Sequence, residues 1–448
     1  MKDSTNRYLL TFLAFIAAFG WGFGSTCLNP FHLYLKCWIY SLESAHSFDS
    51  LCTNRTYLET TSDFQTVTSK WALMTFTYSI PCLFSSIIGL ITADLIGRIE
   101  TLLLALIFQL TQYALCIISF YFSKLWLFYV ARSFGGLAIG FTGIAGPMLL
   151  TELSTKKSLP FFIAVTAVGN NTGSLVSVLL GFQEIFGNFT IGWIYSFLTA
   201  AGFALTGIFV AIWILVTCKK LMISDDHTVF IPNESKTQKL KLSSLITDST
   251  ALFRDKKNFR KAIYCWTLGL FVHGFMGVTS LNYYSSELLL KITNNHRNSI
   301  YMTFGLILGA TLMNCTYVLT GKKFKKRTLL FLSMGLVTTF TIILGVLQIF
   351  PSKIIEYSSV VFVFLARISF DVGAFPISIV LVKFTVDFQH RTAAQSGFMF
   401  FATLGVSTMA YIFPHLLKII GGHVFFLLGG CGLVMLILSL LCLPDIKD

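Results

Sequence analysis

The chain has 448 residues, 55% of them hydrophobic and only 12% charged, with a formal net charge of +13 and a mean hydropathy of +0.74. A soluble domain carries roughly a quarter charged residues, so a water-facing globular fold is excluded, as are disordered, collagen-like, coiled-coil and disulfide-scaffold chains. The basic excess forms no stripe on a soluble domain, so it fits the loops of an all-α membrane protein rather than a nucleic-acid partner.

A hydrocarbon layer about 30 Å thick takes roughly 20 apolar residues per helix. That length predicts twelve spans, at about 8–29, 71–93, 101–122, 125–148, 160–182, 192–217, 262–286, 299–320, 328–349, 357–384, 394–417 and 421–443. The first apolar run is too long for a signal-peptide core and lacks a small-residue cleavage site, so it is expected to be retained. The loop at about 30–70 follows it. Its basic residues (Lys36, Arg55, Lys70) do not outnumber its acidic ones (Glu43, Asp49, Glu59, Asp63), and it carries the glycosylation sequon Asn54-Arg55-Thr56. Cys37 and Cys52 share this loop, where an oxidising compartment lets them pair, although free thiols remain an alternative.

Lys156, Lys157, the basic stretch 218–261 and the run Lys322 to Arg327 collect on the other side. That side is expected to be cytoplasmic, with both termini, in a multi-pass protein of the plasma membrane. The stretch 218–261 is polar and basic, and it separates an N-terminal half, 1–217, from a C-terminal half, 262–448.

The halves echo one another. Gly97-Arg98 and Thr101-Leu102-Leu103 follow span 2, and Lys325-Lys326-Arg327 and Thr328-Leu329-Leu330 follow span 8; Ala131-Arg132 opens span 4, and Ala366-Arg367 lies in span 10. Between spans 2 and 3, Gly97 supplies a tight turn, Asp94 can cap the next helix, and Arg98 can pair with a carboxylate on a neighbouring helix. These residues read as a latch, although an ordinary polar turn accounts for them as well. An ionised group inside a span costs several kcal/mol unless paired or wetted, so Arg132 and Arg367 should face the bundle interior. Glu152, Asp387, Arg391 and Arg327 read as charges that cross between the halves when the cytoplasmic gate closes; solvated helix ends are the alternative.

Several segments, in order and with matching spacing, carry a family resemblance. Pro147-Met148-Leu149-Leu150-Thr151-Glu152, Gly277-Val278-Thr279-Ser280-Leu281-Asn282-Tyr283-Tyr284-Ser285, Val372-Gly373-Ala374-Phe375-Pro376-Ile377 and Pro444-Asp445-Ile446-Lys447 resemble the corresponding motifs of the facilitative sugar transporters of the major facilitator superfamily. The likeness runs almost end to end and implies the major facilitator fold, with twelve transmembrane helices in two six-helix pseudo-symmetric halves and a site near the midplane.

The departures bear on the solute. By that resemblance, the family's sugar-binding Gln of span 5 falls at Ala167, a Gln of span 7 at His273, its Asn at Thr279, the Trp of span 10 at Ile379, its Glu at Phe384, and the Asn and Trp of span 11 at Phe400 and Phe401. A hydroxyl left without partners costs about 1–3 kcal/mol, so tight binding of glucose in the family's usual pose is disfavoured. His273, Thr279, Asn282, Tyr283, Asn170, Asn171, Phe400 and Phe401 are the candidate solute-binding residues. The first span, 8–29, has no carboxylate, in contrast to proton-coupled members of the family, although Asp371 and His273 remain as titratable groups.

No Walker, HExxH or Cys-x-x-Cys motif supports an enzyme, and neither a cofactor nor a metal is called for. The expected activity is therefore facilitative uniport of a small polar organic solute, with a monosaccharide as first choice. A carrier of urate or another planar ring, a proton-coupled sugar symporter and a non-transporting sensor are the alternatives.

Overall fold

Inside a bilayer no water satisfies backbone polar groups, so apolar runs of this length must bond within themselves as helices. The computed structural model obeys this rule; it describes residues 2–42, 64–153, 159–224, 251–293, 295–320, 325–350, 352–387 and 390–443. The first half comprises α1 (Lys2–Thr26), α2 (His32–Ser41), α3 (Phe64–Ser79), α4 (Pro81–Leu95), α5 (Arg98–Tyr121), α6 (Leu125–Leu153), α7 (Leu159–Leu179) and α8 (Gly192–Ser224). The second comprises α9 (Lys256–Gly269), α10 (Val278–Thr293), α11 (His296–Thr320), α12 (Lys326–Leu347), α13 (Lys353–Ser369), α14 (Phe375–Thr385), α15 (Arg391–Ile420) and α16 (Val424–Cys442).

Ten helical runs among the described residues are long and apolar enough to cross a membrane. The last, Ala393–Cys442, is 50 residues long and contains both α15 and α16, which meet at a short turn where Gly421 has φ +56°. With α7, of 21 residues, the crossings are the twelve expected from the sequence.

Three departures have local causes. Pro81 removes a backbone donor and divides the second crossing into α3 and α4. Spans 7 and 10 are also discontinuous, since π-turns at Leu270–Phe275 and Phe370–Ala374 interrupt them. In the first, the Met276 amide donates to the Phe271 carbonyl at 2.9 Å, and Gly277 takes φ +85° to restart the chain as α10, a conformation only glycine adopts without strain.

The third departure corrects the expected outer loop, which does not begin at residue 30. A 3₁₀ turn at Asn29–Phe31, with Pro30 in its first turn, leads into α2, most of which is buried. Trp38 packs against Phe120, Phe128 and Trp193 with ring centroids 5.8–6.0 Å apart, so burial of large rings overrides the loop reading. Likewise, both edges of the expected central loop are helical: α8 continues to Ser224 and α9 begins at Lys256. Asn54 and Cys52 lie outside the described residues, while Cys37 is buried in α2.

The halves meet where α7 packs on α11 and where α3 and α4 pack on α15.

Candidate functional site

Both halves wall one cavity of about 80 Å³, measured as the space open to water centres. That is room for several waters, at roughly 10–15 Å³ each on this measure. Trp21, Ser25, Ser79, Cys82, Ile139 and Asn170 line it from the first half, and His273, Thr279, Asn282, Tyr283, Arg367, Phe370, Phe375, Thr403 and Val406 from the second. Five of the candidate solute-binding residues therefore gather here, Asn170, His273, Thr279, Asn282 and Tyr283, together with Arg367.

The broken helices set their geometry. His273 sits in the π-turn of span 7, where its Nε2 lies 3.0 Å from Ser378 Oγ and its ring packs among Phe370, Phe375 and Phe398. One ring nitrogen is thus engaged inside the protein, and Nδ1 is the one left for a solute. Thr279 Oγ donates to the carbonyl of His273, satisfying a backbone group at the helix break. Tyr283 Oη lies 3.4 Å from Ser79 Oγ, and Cys82 Sγ 3.3 Å from Thr403 Oγ1; both contacts join the halves across the cavity.

Three candidates do not border it. Phe401 stacks on Trp266 at 5.6 Å, and Phe400 meets Phe401 edge-on; α15 presents Thr403 and Val406 to the cavity instead. Asn171 is turned into a buried network. Ala167 and Ile379, where the resemblance aligns a Gln and a Trp, lie together in a separate apolar crevice with Pro147, Thr166 and Pro376.

That buried network is the main feature the sequence reading passed over. Arg367 and Asp371 are four residues apart, and the π-turn holds Arg367 Nε 3.2 Å from Asp371 Oδ2. Asp371 Oδ1 accepts from Asn171 Nδ2 at 3.2 Å and Asn314 Nδ2 at 2.8 Å, and Arg367 Nη2 donates to Asn171 Oδ1 at 3.1 Å. Asn171 belongs to the first half and the other three to the second, so the network spans the domain interface. Intramembrane charge at Arg367 and Asp371 was a readable signal; the amides that hold it, on α7 and α11, were not.

At the end of the bundle that holds the termini, Arg98 binds Asp94 at 2.7 Å and Glu152 at 3.4 Å. Asp94 therefore pairs with Arg98 rather than capping α5, whose N-cap is Gly97 at φ +111°. All three belong to the first half, so this triad ties α4, α5 and α6 together, and Glu152 also acts electrostatically on Lys383 of the second half. Asp387 Oδ2 accepts from Asn258 Nδ2 at 2.9 Å, Arg391 Nε donates to the Val386 carbonyl at 3.1 Å, and Arg327 lies over the Phe331 ring at 5.9 Å. Lys326 sits 4.7 Å above Phe384, a cation–π contact at the position where the resemblance expects a carboxylate. Asp255 caps α9 and its carboxyl is held below the usual range, first by hydrogen bonds from Asn258.

Arg132 faces the bundle interior, as a charge within an apolar span requires. It lies twenty residues before Glu152 on α6, about 30 Å along the axis, and is fully buried in its own half. It donates to the Gly24 carbonyl at 2.8 Å and lies 3.9 Å over the Tyr78 ring. It thereby ties α1, α3 and α6 together.

The far end of the bundle carries cross-half clasps that the sequence reading did not anticipate. Lys36 Nζ binds Glu287 Oε1 at 3.0 Å. Asn29 Nδ2 donates to Ser285 Oγ at 2.7 Å and to the Asn282 carbonyl at 3.1 Å, while its Oδ1 accepts from the Ser286 amide. Further out, Glu184 accepts from Arg297 at 2.5 Å and Tyr301 at 2.7 Å. The Tyr301 hydrogen bond, more than the Arg297 charge, holds the Glu184 carboxyl below the ordinary range.

Comparison with known proteins agrees with this architecture. The family model for "Sugar (and other) transporter" matches residues 38–448. Facilitated glucose transporter member 2 of Sus scrofa is 25% identical over 87% of this chain and 77% of its own. Human facilitated glucose transporter member 7 is 22% identical over 97% and 86%. Among solved structures, the proton:xylose symporter XylE bound to 6-bromo-6-deoxy-D-glucose superposes with a TM-score of 0.75 at 14% identity, covering 99% of this chain and 97% of that one. The fucose transporter FucP in its outward conformation gives 0.65 at 12% identity over 98% and 100%. These relatives are transporters rather than enzymes. The chain is a multi-pass membrane protein of the major facilitator fold and belongs to the Sugar (and other) transporter family.

Proposed function

We propose that this protein is a facilitative carrier of a small polar organic solute of monosaccharide size, moved by rocking of the two halves about the central cavity. The observation that carries the reading is the cavity itself, walled by polar groups of both halves, with Asn170 on one side and His273, Thr279, Asn282 and Tyr283 on the other. Relatives named as facilitated glucose transporters support a sugar as the solute class, and solved neighbours named as xylose and fucose symporters are consistent with it. Uniport is favoured over symport because no carboxylate stands between Tyr8 and Asn29. In this reading the termini are cytoplasmic, the protein resides in the plasma membrane, and Asn54 is glycosylated outside. The Arg98–Glu152 triad stiffens the cytoplasmic end of the first half.

With Ala167 and Ile379 in a separate apolar crevice and Nε2 of His273 engaged, the polar groups that remain are not those of the family's usual glucose pose, which favours fructose, a less hydroxylated sugar or a planar ring over glucose. Tracer uptake into proteoliposomes with a panel of hexoses, deoxy sugars and urate tests this. Saturable uptake that is unchanged by a proton gradient is the expected result; strictly proton-driven uptake would overturn the uniport assignment.

A further inference from the structure

The charge arrangement around the cavity points beyond a neutral sugar. Of the fifteen residues that border it, Arg367 is the one permanently charged side chain, and no carboxylate is among them. The side chain is only 4% exposed, so a solute that fills the cavity must meet its charge without much water.

Arg367 and Asp371 are neutral as a pair, but their two ends face different surroundings. Asp371 is fully buried, does not border the cavity, and has Oδ1 occupied by Asn171 and Asn314. Arg367 does border it. A guanidinium has five N–H donors; here Nε faces Asp371 and one Nη2 donor goes to Asn171, while Nη1 makes no hydrogen bond among the described residues. The remaining donors form part of a planar fork suited to two oxygens of one anion. A neutral solute that displaces water from this fork leaves part of a buried cation poorly solvated, whereas an anion replaces that water with charge-assisted bonds.

We infer that the cavity selects a small organic monoanion, a carboxylate-bearing sugar or an acidic ring, with Arg367 as its specificity-determining contact. The inference rests on the carrier reading and narrows its solute class. The remaining wall suits such a compound: Asn170, Asn282, Thr279 and Tyr283 offer neutral partners to hydroxyls or ring carbonyls, and Phe370 and Phe375 offer apolar faces. His273 adds one partner through Nδ1.

The test uses the full-length protein in proteoliposomes at neutral pH, with labelled glucuronate and urate as the anions and glucose and fructose as neutral controls. Uptake of at least one anion should exceed that of both neutral sugars at least tenfold. In Arg367→Gln/Asp371→Asn, which removes both charges and keeps amides for Asn171 and Asn314, the ratio of anion to fructose uptake should fall at least tenfold. Should this variant not fold, titration of the unaltered protein decides, because Trp21 borders the cavity. The anions should quench its fluorescence at lower concentration than glucose, and Trp21→Phe should abolish the signal. Neutral sugars carried or bound as well as both anions would overturn the inference and leave the carrier reading standing. Neither uptake nor quenching by any of the four would overturn both.

Discussion

Glu287→Gln isolates the clasp at the far end of the bundle. In the structure Lys36 Nζ lies 3.0 Å from Glu287 Oε1, with side-chain exposures of 5% and 23%. The two residues belong to opposite halves, so the bond exists only while that end is shut, and its loss falls on one conformational state. A hydrogen bond between charged partners is worth about 1.5–3 kcal/mol, and the partial exposure of Glu287 places this one toward the lower figure. At 1.4 kcal/mol per factor of ten, the equilibrium should move roughly tenfold or more toward the far-open form. The assay is labelling of Ser25→Cys, a cavity position, by a membrane-impermeant thiol reagent applied from the far side. Cys82, which also lines the cavity, and Cys52, Cys218, Cys315, Cys431 and Cys442 are replaced by Ser. Labelling should accelerate about tenfold in Glu287→Gln and return toward the parent rate in the charge swap Lys36→Glu/Glu287→Lys. A rate within twofold of the parent in Glu287→Gln would refute the clasp.

The outer Glu184 cluster should respond to acid with a definite sign. Because the folded carboxyl titrates below its unfolded value, its contribution is complete above about pH 4.3 and is lost as pH falls through the depressed folded value; far-side labelling of Ser25→Cys should rise on acidification below about pH 4, and Glu184→Gln should remove that rise. Gly277→Ala forces a side chain into φ +85° with its Cβ 2.9 Å from Leu428 Cδ1, at a cost of about 1–2 kcal/mol for the backbone alone; the melting temperature of the purified protein should fall, whereas Gly335→Ala, inside α12 with open space around its Cβ, should hold or raise it. His273→Gln should raise glucose uptake relative to fructose, but Ala167→Gln should add nothing, because its side chain enters the crevice against Ile379 rather than the cavity; a further gain in the double variant would show that the crevice opens to the site. Glycosidase should increase the gel mobility of the expressed protein, and Asn54→Gln should abolish that shift; an unaltered pattern would remove Asn54 as the glycosylated residue.

The amino-acid sequence alone determined the class of fold, because the length and spacing of apolar runs are set by the thickness of the bilayer and need no partner to be read. It also pointed to five of the cavity residues through the family resemblance, which aligns His273 and Thr279 with site positions and sets Asn170, Asn282 and Tyr283 close to aligned ones. Tertiary structure decided the remainder. The helical path from Asn29 to Ser41 follows from ring packing of Trp38 against side chains far along the chain, which no local periodicity encodes. The faces of α15 are separated only by its neighbours: Phe401 goes to Trp266 and Thr403 to the cavity. Charge partners were the least legible, because Arg98, Arg132, Asp387 and Lys36 could each reach several helix ends in principle. The Arg98–Glu152 pair was legible, but only the packed bundle assigns the Gly24 carbonyl, Asn258 and Glu287 to the other three. The Arg367–Asp371 pair was visible as two charges four residues apart, but its orientation, cation toward the cavity and anion held by Asn171 and Asn314, exists only once α7, α11 and the π-turn of span 10 meet.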